Sequence, residues 1–235
     1  MVAHCRPIAN TPAPRLGAAM LRGGGRDDRL GAMQEHKSLS DEFSNLVSGA
    51  VSSVASLSRL APEFERAAAL LVRTLQEGRK VLAAGNGGSA AEAMHLAEEL
   101  SGRYRSNRRA LPGLALCADC TALTCIGNDF GFDEVFSRQI EAFATDGDLV
   151  ALFTTSGNSE NLLRAARAAR ARGASVLSFT GPGGGALAGL SDILLAVPEA
   201  DRSAHVQEAH QVLLHALLEK VETAFPASHT ETTTT

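Results

Sequence analysis

Several residue types are scarce in this chain of 235 residues, and each scarcity argues against a class of function. Tryptophan is absent, tyrosine occurs once and aromatic residues make up 4% of the sequence, so few side chains could stack on nucleic acid bases. The net charge is −4 and no large block of Lys and Arg occurs, which removes the electrostatic signature of nucleic acid binding. No apolar run reaches the length of a membrane span. We therefore expect neither a nucleic acid partner nor a membrane.

Cysteine is also rare, with four residues: Cys5, Cys117, Cys120 and Cys125. Cys117 and Cys120 have the spacing of redox and zinc motifs, but no second pair completes a zinc site. Because they lie in or just after an apolar run, the pattern favours packing thiols over redox or metal chemistry. Free thiols are typical of a reducing compartment, so we expect a cytoplasmic protein.

The two ends of the chain differ in composition from the rest. The first 32 residues are rich in Arg, Gly, Ala and Pro, show no apolar periodicity and lack the hydrophobic region of a secretory signal. We predict a disordered extension over residues 1–37, with Met33 as a candidate start and a transit peptide as the alternative. The Thr-rich end predicts a disordered tail over 227–235. A single domain then occupies residues 38–226.

Helical and strand patterns alternate along this domain. Two amphipathic helices fill residues 39–78, and Pro62 opens the second of them. Short apolar runs predict five strands, over 80–84, 114–117, 149–154, 176–179 and 193–197. Helical sequence follows the first strand as far as Leu100, and further helices are predicted over 133–143, 160–172 and 203–225. This order predicts an α/β fold with a mostly parallel sheet covered on both faces. The N-terminal helices lie outside that core, which favours an oligomer.

Three loops built from glycine and hydroxyl residues follow predicted strands, at residues 85–89, 154–159 and 180–185. The first two lead directly into helical sequence, which places free backbone N–H groups at a helix N-terminus, where the dipole favours an anion. Neither carries the Gly-Lys-Ser/Thr of a P-loop or the spaced glycines of a dinucleotide fingerprint. Because open parallel sheets bind ligands beyond the carboxyl ends of their strands, these loops predict a site for a small phosphorylated metabolite.

Two of the predicted helices carry side chains that can bind a metal or transfer protons. His95 and Glu99 are four residues apart on one helical face, which suits a cation site or a proton-transfer pair, but also an ordinary surface contact. Gln207, Gln211 and His215 recur at four-residue steps in the last helix. Apolar residues surround His215, so a buried histidine without a chemical role is the simpler interpretation of it.

Two polar segments between these helices have ordinary interpretations. Gly127-Asn128-Asp129 is typical of a turn. A basic cluster is typical of a solvated connector; it comprises Arg103, Arg105, Arg108 and Arg109.

The combination of motifs resembles the phosphoheptose isomerase branch of the sugar isomerase (SIS) domain family. The resemblance covers about residues 40–225 and keeps every motif in order. The motifs are GNGGSAAEAMHLAEEL at 85–100, GNDFG at 127–131, TTSGNS at 154–159, and QEAH at 207–210 followed by His215.

The resemblance implies a fold, a reaction and a site. The fold would be a five-stranded parallel sheet flanked by helices, a flavodoxin-like three-layer sandwich, assembled as a homotetramer with sites between subunits. The enzyme would isomerise sedoheptulose 7-phosphate to D-glycero-D-manno-heptose 7-phosphate through an enediol, on the route to ADP- or GDP-linked heptose and lipopolysaccharide. One zinc ion per subunit would be bound by His95, Glu99, Gln207 and His215, with Glu99 as base and His215 as acid. Substrate contacts would come from Asn86, Gly87, Gly88, Ser89, Glu99, Asn128, Asp129, Thr154, Thr155, Ser156, Ser159 and Gln207.

The chain departs from the family's pattern at two positions, and other functions compete with catalysis. Ala204 stands where an acidic residue is common, which affects substrate contacts, and Thr154 replaces a common serine while keeping the hydroxyl. SIS domains also serve as non-catalytic binding proteins, for phosphosugars or for the initiator protein DnaA. Retention of all four predicted metal ligands favours the enzyme. A phosphosugar-sensing regulator would need a DNA-binding helix-turn-helix, for which the rest of the sequence has no room.

Overall fold

The computed structural model describes residues 39–227, so the predictions for residues 1–37 and for the tail beyond 227 lie outside the described part. Seven α-helices are present there: α1 Leu39–Ser56, α2 Ala61–Gln76, α3 Gly88–Ser101, α4 Cys120–Phe130, α5 Ser137–Phe143, α6 Glu160–Ala171 and α7 Ser203–Ala224. Five strands alternate with them: β1 Val81–Gly85, β2 Gly113–Ala115, β3 Leu149–Phe153, β4 Ser175–Thr180 and β5 Ile193–Ala196. Short 3₁₀ helices fill Leu57–Leu60, Phe132–Glu134 and Gly185–Leu190.

The five strands form one sheet in the order β2-β1-β3-β4-β5, and every pairing is parallel. This is the flavodoxin-like order, and it confirms the predicted five-stranded parallel sheet. The chain runs outward from β1 to β2 on one side and then continues from β3 on the other. The topological switch point therefore lies between β1 and β3, whose last residues, Gly85 and Phe153, are paired.

Each strand contributes side chains to both faces of the sheet, which explains its near-continuous apolar sequence. In β3, Leu149, Ala151 and Phe153 pack into the core beneath α2, α3 and α7, while Val150 and Leu152 pack into the core beneath α5 and α6. The alternation follows from the two-residue period of a strand. Two cores, one on each face, give the three layers that were predicted.

The helix α4 differs from the sequence-based prediction. The sequence indicated a turn at Gly127–Asp129, whereas these residues lie in the last turn and a half of α4. Asp119 explains where the helix starts, because its carboxylate accepts hydrogen bonds from the backbone N–H groups of Thr121 and Ala122 at 2.9 and 3.0 Å. The turn prediction was therefore wrong.

The cysteines only partly follow the packing prediction. Cys117 is half-buried, contacts both cores and donates its thiol to the carbonyl oxygen of Ala90. Cys120 and Cys125 are exposed on α4 instead, so packing does not account for them. Burial raises the pKa of the Cys117 thiol, which keeps it protonated and unreactive.

The basic connector between α3 and β2 contains one residue that is not solvated. Arg103, Arg105 and Arg109 are exposed as predicted, but the side chain of Arg108 is fully buried and pairs with Glu222 of α7 at 3.2 Å. The prediction was wrong for Arg108 because its partner lies more than a hundred residues away. Within the described residues, no helix has the length and apolarity needed to cross a membrane.

Candidate active site

The loops that follow β1 and β3 meet at the switch point and enclose a small cavity of about 100 Å³. The cavity is lined by Asn86, Ser89, Phe153, Thr154, Thr155, Ser156, Ser159 and Gln207. Seven of these eight were predicted to contact substrate; Phe153, the last residue of β3, is the addition. The lining offers hydroxyl and amide groups and no carboxylate, which suits an anion. A larger cleft of about 480 Å³ lies beside α1, but its charged side chains are Glu199 and Asp201, which repel a phosphate.

The first loop enters α3 through two glycines that the geometry requires. Gly87 caps the helix with a positive φ of 56°, which side chains disfavour. A Cβ on Gly88 would lie 2.3 Å from the Nε2 atom of Gln207, so the absence of a side chain lets α7 approach the start of α3. This close approach places Gln207 beside the glycine loop at residues 85–89.

The second loop enters α6 after a tight turn. The Thr154 hydroxyl accepts a hydrogen bond from the N–H of Gly157 at 3.2 Å, and the Asn158 carboxamide accepts one from the N–H of Ala186 at 2.9 Å. Ser159 is the N-cap residue of α6 and its side chain forms no capping hydrogen bond, so free N–H groups of that helix face the loop. The helix dipole and these donors favour an anion at this edge of the sheet.

A second cluster of polar side chains lies between α3 and α7. The Nε2 atom of His95 is 3.3 Å from Oε1 of Glu99, and its Nδ1 atom is 2.9 Å from Oε1 of Gln211. The rings of His95 and His215 meet edge to face with centroids 5.2 Å apart. The two histidines, 120 positions apart in sequence, are therefore neighbours within a single chain.

Glu99 has one oxygen without a partner. The Glu99 side chain is 15% exposed, and its Oε2 atom is buried and forms no hydrogen bond. Burying an unpaired carboxylate oxygen is costly, so this atom, like Oε1 of Glu92, could accept a hydrogen bond or bind a cation. Among the described residues, His95, Glu98 and Glu99 offer ligand atoms within 4.8 Å of one another. Glu98 was not predicted; it is exposed and next in sequence to Glu99.

His215 is not the buried histidine that its apolar neighbours indicated. It is exposed on α7, and the ring of Tyr104 stacks on it at a centroid distance of 6.0 Å. Burial, with the nearby Glu219 carboxylate, raises the pKa of Tyr104, so its phenol stays neutral beside the site. The buried histidines of α7 are His205 and His210, which sequence reasoning did not separate from His215.

His210 joins the elements that surround the cavity. Its Nδ1 atom is 3.3 Å from a carboxylate oxygen of Glu92 in α3, and its Nε2 atom is 3.2 Å from the carbonyl oxygen of Thr180 at the end of β4. Both side chains are almost completely buried. The pair braces α3 and α7 against the sheet immediately behind the glycine loops.

The remaining predicted residues are placed less centrally. The carboxamides of Asn86 and Asn161 exchange two hydrogen bonds of 2.9 Å, which fixes the first loop against α6. Asn128 and Asp129 are exposed near the end of α4, where Asn128 donates to Asp129 at 2.7 Å. In the described part of the chain neither of them lines the cavity.

The fold and these two clusters define an α/β domain with a cavity of hydroxyl and amide groups at the switch point and a histidine–carboxylate cluster between α3 and α7. The SIS domain model matches residues 47–181. The phosphoheptose isomerase of Campylobacter concisus is 51% identical over 161 residues, which cover 68% of this chain and 85% of that protein. The solved phosphoheptose isomerase GmhA from Neisseria gonorrhoeae has a TM-score of 0.75 and 37% identity, covering 79% of this chain and all of that one. A phosphoheptose isomerase structure from Francisella tularensis has a TM-score of 0.75 and 32% identity, covering 78% and 98%.

The chain therefore belongs to the SIS domain family and, within it, to the phosphoheptose isomerases. This confirms the resemblance that the motifs carried. It also favours the predicted enzyme over the non-catalytic binding protein.

Proposed function

We propose that this chain isomerises sedoheptulose 7-phosphate to D-glycero-D-manno-heptose 7-phosphate, an aldose–ketose conversion that supplies ADP- or GDP-linked heptose synthesis. The observation that carries the proposal is the adjacency of two sites along α3. Ser89, in the first turn of α3, lines the cavity of hydroxyl groups, and His95 and Glu99 follow about 1.7 and 2.8 turns later on the same helix. A sugar phosphate bound at the loops would extend toward the histidine–carboxylate cluster.

The loops would bind the phosphate end of the substrate. Ser89, Thr155, Ser156 and Ser159 would donate hydroxyl hydrogen bonds, and Gly87 and Gly88 backbone N–H groups, since no lysine or arginine lines the cavity. Asn86, Thr154 and Gln207 complete the proposed contacts. Asn128 and Asp129 would contact the substrate from α4, as the resemblance implies.

The donor set near Glu99 fits a divalent metal ion. Ligands about 2.0–2.2 Å from a tetrahedral zinc ion lie about 3.3 Å from each other, and the Nε2 atom of His95 is 3.3 Å from Oε1 of Glu99. The unpartnered Oε2 atom of Glu99 also calls for a positive group. We propose one zinc ion per subunit on His95, Glu99, Gln207 and His215. Bound there, zinc would stabilise the negative charge that develops on the substrate oxygen.

Two side chains would move the protons. Glu99 would take a proton from C1 of the ketose while His215 gives a proton to the carbonyl oxygen at C2, which produces the enediol. Return of a proton to C2 and loss of the proton on O1 then yields the aldose. The stacked ring of Tyr104 and the edge of His95 would orient the His215 imidazole for this transfer.

The assembly proposed is a homotetramer in the cytoplasm. The first ten residues of α1 are exposed on every side although they include Leu39, Phe43, Leu46 and Val47. α1 packs against α7 around Gly49, and the apolar side chains that stay exposed near its start favour a partner that buries them. The exposure of His215 is consistent with a neighbouring subunit that closes the site, and the exposed free thiols of Cys120 and Cys125 suit a reducing compartment.

An NMR assay with sedoheptulose 7-phosphate tests the proposal. We expect the aldose product to appear with the metal-loaded protein, to disappear after chelation and to return on addition of zinc. The Glu99→Gln variant should lose roughly 10²–10⁴ in kcat, because it cannot take the proton, while it still binds phosphate. Glu141→Gln, the same change at an exposed position on α5 outside this cluster, is the matched control and should retain activity. Absence of conversion by metal-replete wild-type protein would instead support a binding protein.

A further inference from the structure

We infer that Gln211 is a positioning residue that fixes the tautomer and orientation of His95, so that the Nε2 atom of His95 is the metal-binding atom. The inference rests on the proposed function, since it concerns the same site. Gln211 lies on α7 between Gln207 and His215, one helical turn from each. Neither the motifs nor the resemblance gave it a role.

The hydrogen bond between the two side chains determines which ring nitrogen carries the proton. The Oε1 atom of Gln211 is 2.9 Å from Nδ1 of His95. A carboxamide oxygen can only accept, so Nδ1 must be the donor and must carry the hydrogen. In the neutral imidazole this leaves Nε2 as the nitrogen with a free lone pair.

The free lone pair points at another acceptor. Nε2 of His95 faces Oε1 of Glu99 at 3.3 Å, and the second oxygen of Glu99 has no partner. Two acceptors held at this distance repel each other unless a positive group lies between or beside them. By holding the proton on Nδ1, Gln211 therefore prepares Nε2 and the Glu99 carboxylate to bind one cation together. An acceptor on the far nitrogen also raises the basicity of a histidine ligand.

Without Gln211, nothing described holds the His95 ring with its proton on Nδ1 and Nε2 facing Glu99. His215 contacts the His95 ring edge to face at 5.2 Å, which limits how it packs but offers no hydrogen bond to Nδ1. Among the described residues, Gln211 is the partner that the structure gives to Nδ1. Rotation of the ring by half a turn about the Cβ–Cγ bond would put Cδ2 and Cε1 where the two nitrogens now lie, which would remove Nδ1 from Gln211 and the lone pair of Nε2 from Glu99.

Three variants separate orientation from packing. Gln211→Leu keeps the approximate size and removes the acceptor, while Gln211→Glu keeps an oxygen that can accept from Nδ1. Gln76→Leu makes the same change at an exposed position near the end of α2 and serves as the matched control. Zinc affinity is measured by competition with a chromophoric chelator. The ¹⁵N chemical shifts of the His95 ring are measured in the metal-free protein at a pH about two units above the ordinary imidazole pKa, so that the ring is neutral. A His95→Gln variant assigns these signals.

We expect Gln211→Leu to weaken zinc binding about 10- to 100-fold, and Gln211→Glu and Gln76→Leu to bind as the wild type does. The ring proton should lie on Nδ1 in the wild type and in Gln211→Glu, and should shift toward Nε2 in Gln211→Leu. Wild-type affinity in Gln211→Leu, or equal losses in the Leu and Glu variants, would overturn the inference, as would a wild-type proton on Nε2. A wild type that binds no zinc but carries the proton on Nδ1 would overturn the proposed metal site and support the orienting role.

Discussion

The carboxylate of Glu222 connects the ends of the two helices that carry the proposed metal ligands. It accepts hydrogen bonds from the backbone N–H and the hydroxyl of Ser106 and pairs with Arg108 at 3.2 Å. Arg108 in turn donates to the carbonyl oxygens of Glu99 and Leu100, which lie in the last turn of α3. Because those carbonyls lack helical partners, the buried pair helps to fix the part of α3 that holds Glu99.

Because of this buried pair, the free energy of unfolding should fall at acidic pH. Burial alone would raise the pKa of Glu222, but the hydrogen bonds from Ser106 and the charge of Arg108 outweigh it and hold the pKa below its ordinary value. The ionised form therefore stabilises the fold above the unfolded-state pKa of about 4.3, and this contribution is lost as the pH falls through the folded-state pKa. Glu222→Gln should lower the free energy of unfolding by about 3–5 kcal/mol at pH 7, because it leaves Arg108 buried without its charge partner.

Urea unfolding at several pH values measures this effect. The difference between wild type and Glu222→Gln should shrink as the pH falls below the unfolded-state pKa of about 4.3 and through the lowered folded-state pKa of Glu222. Glu141→Gln, an exposed substitution on α5, is the control and should change little at any pH. A large difference that stays constant from pH 7 to pH 3 would contradict the role of the Glu222 charge.

Single residues were predictable where their partners are close in sequence. His95 and Glu99 are one helical turn apart, so their shared face follows from the helical period alone. Arg108 and Glu222, like His95 and Gln211, come together only through the packing of α3 and its connector against α7. Nothing local in the sequence distinguishes the buried Arg108 from its exposed neighbour Arg109, so its partner had to come from the structure.

The glycine loops that follow β3 and β4 interlock at the level of the backbone. Gly157 has a φ of 67°, and a Cβ there would lie 2.0 Å from the carbonyl oxygen of Gly184. The loop at residues 180–185 thus packs against the loop at residues 154–159, and none of its residues lines the small cavity. The shape of the Thr154–Ser159 loop depends on this contact.

Gly157→Ala should therefore displace the loop and weaken phosphate binding. The substitution adds the cost of a positive φ, about 1–2 kcal/mol, and a clash with a backbone atom that cannot rotate away. We expect a lower Tm and a higher KM for the sugar phosphate. Gly183→Ala is the matched control, because it has a φ of 80° but nothing within 4 Å of the new methyl group. If Tm falls and KM rises to the same extent in both variants, the contact between Gly157 and Gly184 has no separate effect.

Helices and strands were predicted well where the apolar residues recur with a clear period. They were predicted poorly where residues of low helix propensity interrupt that period. All five strands and the long helices α3, α6 and α7 were expected close to their observed bounds. The helix α4 was missed because Gly127, Asn128 and Asp129 have low helix propensity and are common in turns. The signal that could have found it is Asp119, a strong N-cap residue that precedes a run of apolar and Thr residues.

At the scale of the whole molecule, the sheet was predictable because each strand must be buried on both faces. That requirement fixes the alternation of strands and helices, and the handedness of the connections then limits the topology. The surface of α1 is different, because the described residues leave part of its apolar face exposed. Leu39, Phe43, Val47 and Val51 recur every four residues and remain exposed, Phe43 by 67%.

A charge on this face of α1 should break the proposed assembly. Phe43→Glu would place a carboxylate among the side chains that a second subunit would bury, and an unpaired buried charge is strongly unfavourable. We expect size-exclusion chromatography with light scattering to give a smaller species than for the wild type. Turnover should fall with it, because the exposed His215 would lose the neighbouring subunit. Asn45→Glu, a polar exposed position on the same helix, should leave the mass unchanged, and a Phe43→Glu variant of wild-type mass would mean that α1 does not form the interface.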